Sequence, residues 1–158
     1  MTREKITSVA GSPGAAGHMM REEIDAFFAR RQEAIDNLDA AALAAEYAED
    51  CVVESPTAGT LRGRAAVEVV FRAWFDAFPD VKFRTESLVV DGDRVAQVAT
   101  FEGTDIGGFM GLAPTGKTFR VPIVSFYTLK DHTIVEERRI YDFTGVLMQV
   151  GVLKAKPA

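Results

Sequence analysis

Apolar residues recur at intervals of three and four between Ile24 and Leu38: Ile24, Phe27, Phe28, Ile35 and Leu38, with Arg31 on the same stripe. This is the period of an amphipathic helix. Asp39 offers an N-cap side chain to a second, alanine-rich helix predicted to run to about Tyr47. "CVVESP" then reads as a short strand stopped by Pro56. After Gly63, Val67, Val70, Phe71, Trp74, Phe75 and Phe78 mark the wide apolar face of a third helix, which Pro79 ends.

Beyond Pro79 the pattern is that of strands. "VKFRTESLVV" and "RVAQVATFE" flank "DGD", and "FRVPIVSFYTL" and "TIVEERRIYDF" flank "KDH", so two hairpins are predicted. The glycine-rich loop "GTDIGGFMGLAPTGK" joins them. Helices first and an antiparallel meander second make an α+β fold rather than a βαβ one. Three helices covering one face of a curved sheet give a cone with a pocket at its open end. On the strand "PIVSFYTL", Ile123, Ser125, Tyr127 and Leu129 share one face, while Val124, Phe126 and Thr128 share the other.

The chain has 158 residues, of which 47% are hydrophobic, 26% charged and 9% aromatic, as expected of one globular domain. Residues 1–19, rich in glycine and carrying "GHM" in the manner of a cloning scar, are expected to be a tail that does not order by itself. Residues 20–158 are expected to form the single domain. No apolar run reaches the ~18–20 residues of a membrane span. A net charge of −5 argues against nucleic acid as a partner. The one cysteine, Cys51, cannot form an internal disulfide, and a reducing cytoplasm is the natural expectation.

"GLAPTGKT" at 111–118 matches a phosphate-binding loop in spelling, but β-branched and aromatic residues follow where a helix would have to start. It reads as a turn. The two histidines fall in the tail (His18) and in a hairpin turn (His132), so a histidine-based triad or zinc site is not expected. Proton transfer then falls to carboxylates, tyrosine or lysine. Glu136 and Glu137 alternate along a strand, one of them pointing outward to pair with Arg138 or Arg139 at little net gain. Glu54 and Asp142 differ, since each closes an apolar strand. Asp142, between Tyr141 and Phe143, is either a cap on a short helix at 144–150 or an acid held at a pocket for chemistry.

"AEDCVVESPTAGTLRGRAAV", "AFPDVKF", "GFMGLAPTGKTF" and "IVEERRIYDFTGVLMQVG" follow one another in an order that resembles the SnoaL-like polyketide cyclases of the NTF2-like superfamily, over roughly residues 22–152. The resemblance implies a cone-shaped α+β barrel and ring closure by aldol condensation without metal or organic cofactor. It also implies that Asp142, placed before "FTGVLMQVG", is the acid/base. Where the anthracycline cyclases carry a histidine, this sequence places Ser125. The Arg-x-Asp pair expected of the related epoxide hydrolases is missing at Phe101, Glu102 and Gly103.

The expected site is therefore Asp142 acting on a carbonyl-activated C–H, with Ser125, Tyr127 or Arg138 donating to the enolate oxygen. Glu54, Trp74, Phe109, Met110 and Met148 complete the substrate-binding set, for an apolar ligand that is at least partly aromatic or polycyclic. The competing expectation is a non-catalytic protein that binds a small molecule in the same cone. The row Val124, Phe126, Thr128 on the outer face predicts a homodimer, because an exposed apolar sheet face is seldom tolerated.

Overall fold

The computed structural model describes residues 18–156. Helix α1 (Arg21–Asp36) starts where the Met20 backbone N–H donates to the Glu23 carboxylate at 2.7 Å. It buries Ile24, Phe27, Phe28, Arg31 and Ile35 along the predicted stripe. Helix α2 (Ala40–Ala45) is capped by Asp39, which accepts from the Ala42 N–H at 2.9 Å. It stops two residues earlier than predicted, because Tyr47 already opens strand β1 (Tyr47–Ser55) by pairing with Ile134.

Strand β2 (Gly59–Arg62) forms a hairpin with β1 that periodicity could not show. It is four residues long and largely exposed. Gly63 follows at φ 86°, and its N–H donates to the Cys51 carbonyl at 2.8 Å, which turns the chain into α3 (Arg64–Ala77). Strands β3 (Lys82–Asp91), β4 (Arg94–Thr104), β5 (Thr118–Lys130) and β6 (Thr133–Tyr141) make the predicted antiparallel meander. A short α4 (Phe143–Gln149) closes the order.

The six strands form one curved, unclosed sheet in the order β2-β1-β6-β5-β4-β3, with β1 and β6 parallel. In β5 burial alternates without a break, Phe119, Val121, Ile123, Ser125, Tyr127 and Leu129 facing inward. Two apolar clusters fill the concave side, one around Trp74, Phe78 and Phe119 and the other around Phe27, Tyr47 and Ile134, and Phe71 packs against both.

The loop between β4 and β5 docks on the end of α3. The Ile106 and Gly107 N–H groups both donate to the Ala77 carbonyl, and a Cβ on Gly107 would lie 1.8 Å from the Asp76 carbonyl oxygen. "GLAPTGKT" runs straight into β5, and no helix begins at its lysine. The expected tail, apart from His18 and Met19, lies outside the described residues.

Candidate active site

Between α1, α3 and the concave face of the sheet lies a cleft walled by Phe71, Trp74 and Phe75 of α3, Phe83 of β3 and Phe101 of β4. Its free volume is about 70 Å³. That is room for the reacting edge of a small molecule rather than for a whole polycycle. Alternation along paired strands puts most of its polar groups on one wall. Ser125 stands opposite Arg139, Tyr127 opposite Glu137, and Ile123 opposite Tyr141 in the β5–β6 register.

These polar groups form a buried network. Arg139 grips Glu137 side-on, Nε to Oε1 at 2.7 Å and Nη2 to Oε2 at 3.0 Å. Tyr47 donates to Glu137 Oε2 at 2.5 Å and accepts from Arg31 Nη2 at 2.7 Å. Arg31 Nη1 reaches Glu46 at 2.8 Å. Both guanidiniums lie over the Phe71 ring, Arg139 at 4.9 Å and Arg31 at 5.6 Å from its centroid.

Among the described residues Arg139 Nη1 donates to no protein atom, yet it is not sealed off as a buried unpaired group. Burial alone would raise the Glu137 carboxyl, but Arg139, then Arg31 and Tyr47, outweigh it and hold the group below the usual carboxylate range. Burial raises Tyr127, so it stays a neutral phenol, and its proton is committed to Gln97 Oε1 at 2.9 Å. Gln97 in turn donates to Thr85.

Three of the residues expected at the site, Trp74, Ser125 and Tyr127, do line the cleft. Arg138 does not: period-two alternation turns it to the outer face, where it pairs with Glu54 at 3.4 Å, and both are well exposed. Its neighbour Arg139 takes the inward place. Phe109 is buried behind the wall with its ring 4.9 Å from that of Trp74, and Met110 and Met148 are exposed away from it. Asp142 follows Tyr141 in the chain but is not among the residues lining the cleft; it is exposed, and its Oδ1 accepts from the Gly145 N–H at 2.7 Å and caps α4.

Glu137 and Arg139 were absent from the expected set. The sequence offers "EERR", two acids and two bases in a row, and a shift of one residue exchanges the inward pair for the outward one. Only the pairing with Ser125 and Tyr127 sets that phase. Among the described residues no group of His, Cys, Asp and Glu could hold a metal ion.

A model of the SnoaL-like polyketide cyclase family matches residues 26–150. No curated protein matches the chain significantly. Among solved structures, IdmH from Streptomyces antibioticus, described as a candidate polyketide cyclase, is 29% identical with a TM-score of 0.69, covering 83% of this chain and 99% of its own. AclR from Streptomyces galilaeus, described as a candidate hydroxylase, is 25% identical with a TM-score of 0.74, over 88% and 91%. TsrD from Streptomyces laurentii shares the fold at 21% identity and a TM-score of 0.75, over 85% and 99%.

Proposed function

The chain belongs to the SnoaL-like polyketide cyclase family, and on that premise we propose that it is a cofactor-independent enzyme enolising a carbonyl-activated C–H of an apolar small molecule, for aldol-type cyclisation or isomerisation. The observation that carries this is the spare donor of Arg139 in a cleft with aromatic walls. A substrate carbonyl seated against Arg139 Nη1 and the Ser125 hydroxyl is polarised, and negative charge that develops on its oxygen meets a guanidinium already in place.

Asp142 is the proposed base. Glu137 is ill suited, since Arg139 and Tyr47 engage both its oxygens and suppress its basicity. Asp142 uses only Oδ1 in its cap, and among the described residues Oδ2 accepts no protein hydrogen bond. Asp142 follows Arg139 by three positions, just past the end of β6, so their Cα atoms are at most roughly 10 Å apart. In this reading the ketone lies between the two, its oxygen on Arg139 and its α-carbon toward Asp142. The α-proton passes to Asp142 and the C–H electrons become the enolate. The enolate carbon attacks a second carbonyl of the same molecule, and Asp142 returns the proton to the resulting alkoxide.

The working unit in this reading is a homodimer through the outer sheet face, in a reducing cytoplasm. Phe126 and Ile140 are half exposed there, beside a shallow groove ringed by Glu54, Asp91, Arg94, Glu136 and Arg138. A two-fold axis can set those opposite charges against each other.

Solvent-deuterium exchange at the α-carbon of 2-tetralone tests the enolisation. Wild type is expected to accelerate exchange and Asp142→Asn to lose about 10²-fold or more. Full exchange by the Asn variant would remove Asp142 from the chemistry. A wild type that binds the ketone without exchanging it would support a binding protein in which Asp142 is only a cap.

A further inference from the structure

The buried charges around the cleft cancel in pairs. Arg31 faces Glu46 at 2.8 Å and Arg139 faces Glu137 at 2.7 Å, while Tyr47 and Tyr127 are held neutral by burial. An uncharged oxygen at Arg139 Nη1 gains a charge-assisted hydrogen bond and adds no charge to this region. A carboxylate at the same place adds a fifth charge, for which no unmatched cation remains among the cleft residues.

We propose that Glu137 is the specificity-determining residue of the cleft: by cancelling Arg139 it makes the site accept ketones and other uncharged oxygen acceptors and reject carboxylates. This rests on the reading of the cleft as the substrate site, and not on any role of Asp142. The effect is local. Glu137 is 3% exposed and touches Arg139 directly, so its charge is screened little by solvent.

Acetophenone and benzoate, matched in ring and close in size, test it by protein-observed NMR titration at neutral pH. Wild type is expected to bind acetophenone at least about tenfold more tightly than benzoate. Glu137→Gln leaves Arg139 unmatched and should move that ratio toward benzoate by about tenfold or more. A purely structural role would weaken both ligands alike. Glu46→Gln leaves Arg31 unmatched while Glu137 stays, and should move the ratio the same way by less. It keeps the test decisive if Glu137→Gln fails to fold. Benzoate bound as tightly as acetophenone by wild type, a ratio unmoved in the folded variants, or neither ligand bound in the cleft would each overturn the proposal. Selective binding of acetophenone by a protein that exchanges no α-proton would leave the specificity standing and remove the enolisation alone.

Discussion

Asp142 caps α4 and, in the proposed reading, also takes a proton, and two substitutions separate the two roles. Asparagine caps nearly as well as aspartate, so Asp142→Asn should leave the thermal midpoint almost unchanged while slowing exchange by about 10²-fold or more. Asp142→Ala loses the bond to the Gly145 N–H and should also cost about 0.5–2 kcal/mol in denaturant unfolding. Glu137 makes a different prediction. Its folded pKa is lowered, so its contribution to stability is complete above the ordinary carboxylate value and is lost as pH falls through the folded one. Glu46 shifts upward because burial outweighs Arg31, and so opposes this trend. Comparison of urea midpoints between neutral pH and about pH 3 should show a steeper acid loss in wild type than in Glu137→Gln. Equal slopes would mean that the Arg139–Glu137 pair adds nothing to folding.

Helices and hairpins were legible because each carries its own period and its own punctuation. The Ile24–Leu38 stripe, the Asp39 cap and the "DGD" and "KDH" turns all state local facts that the fold keeps. Strand β2 was not legible, being too short to show a period, and β1 began inside the expected reach of α2 because pairing with β6 overrode helix propensity at Tyr47. The lining of the candidate cleft was legible by halves for the same reason. Ser125 and Tyr127 follow from alternation within one strand, whereas the choice of Glu137 and Arg139 over Glu136 and Arg138 depends on a register between strands. The loop on α3 makes a further prediction. Gly107→Ala would bring a Cβ against the Asp76 carbonyl, so it should lower stability by roughly 1–3 kcal/mol and speed amide exchange at Ile106 and residue 107. Unaltered exchange at both amides would mean that the loop does not need this close approach.

The sheet has two faces, and the proposed reading gives each its own use. Its concave face, roofed by α1 and α3, holds the Arg139 wall, while α4 packs at the cone's end and leaves Phe126 and Ile140 half exposed on the convex face. Phe126→Glu should therefore convert a dimer to a monomer in light scattering at micromolar concentration, with exchange of 2-tetralone per chain preserved. A wild type already monomeric would contradict the dimer without touching the cleft. The central claim is that the substrate's carbonyl reacts inside the cone, against Arg139. A crystal structure with 2-tetralone bound tests this most directly. The account predicts the carbonyl oxygen within hydrogen-bond distance of Arg139 Nη1 and Ser125, with the α-carbon directed to Asp142. A ketone seated instead in the groove of Glu54 and Arg138, or turned in the cleft with its oxygen away from Arg139, would contradict it.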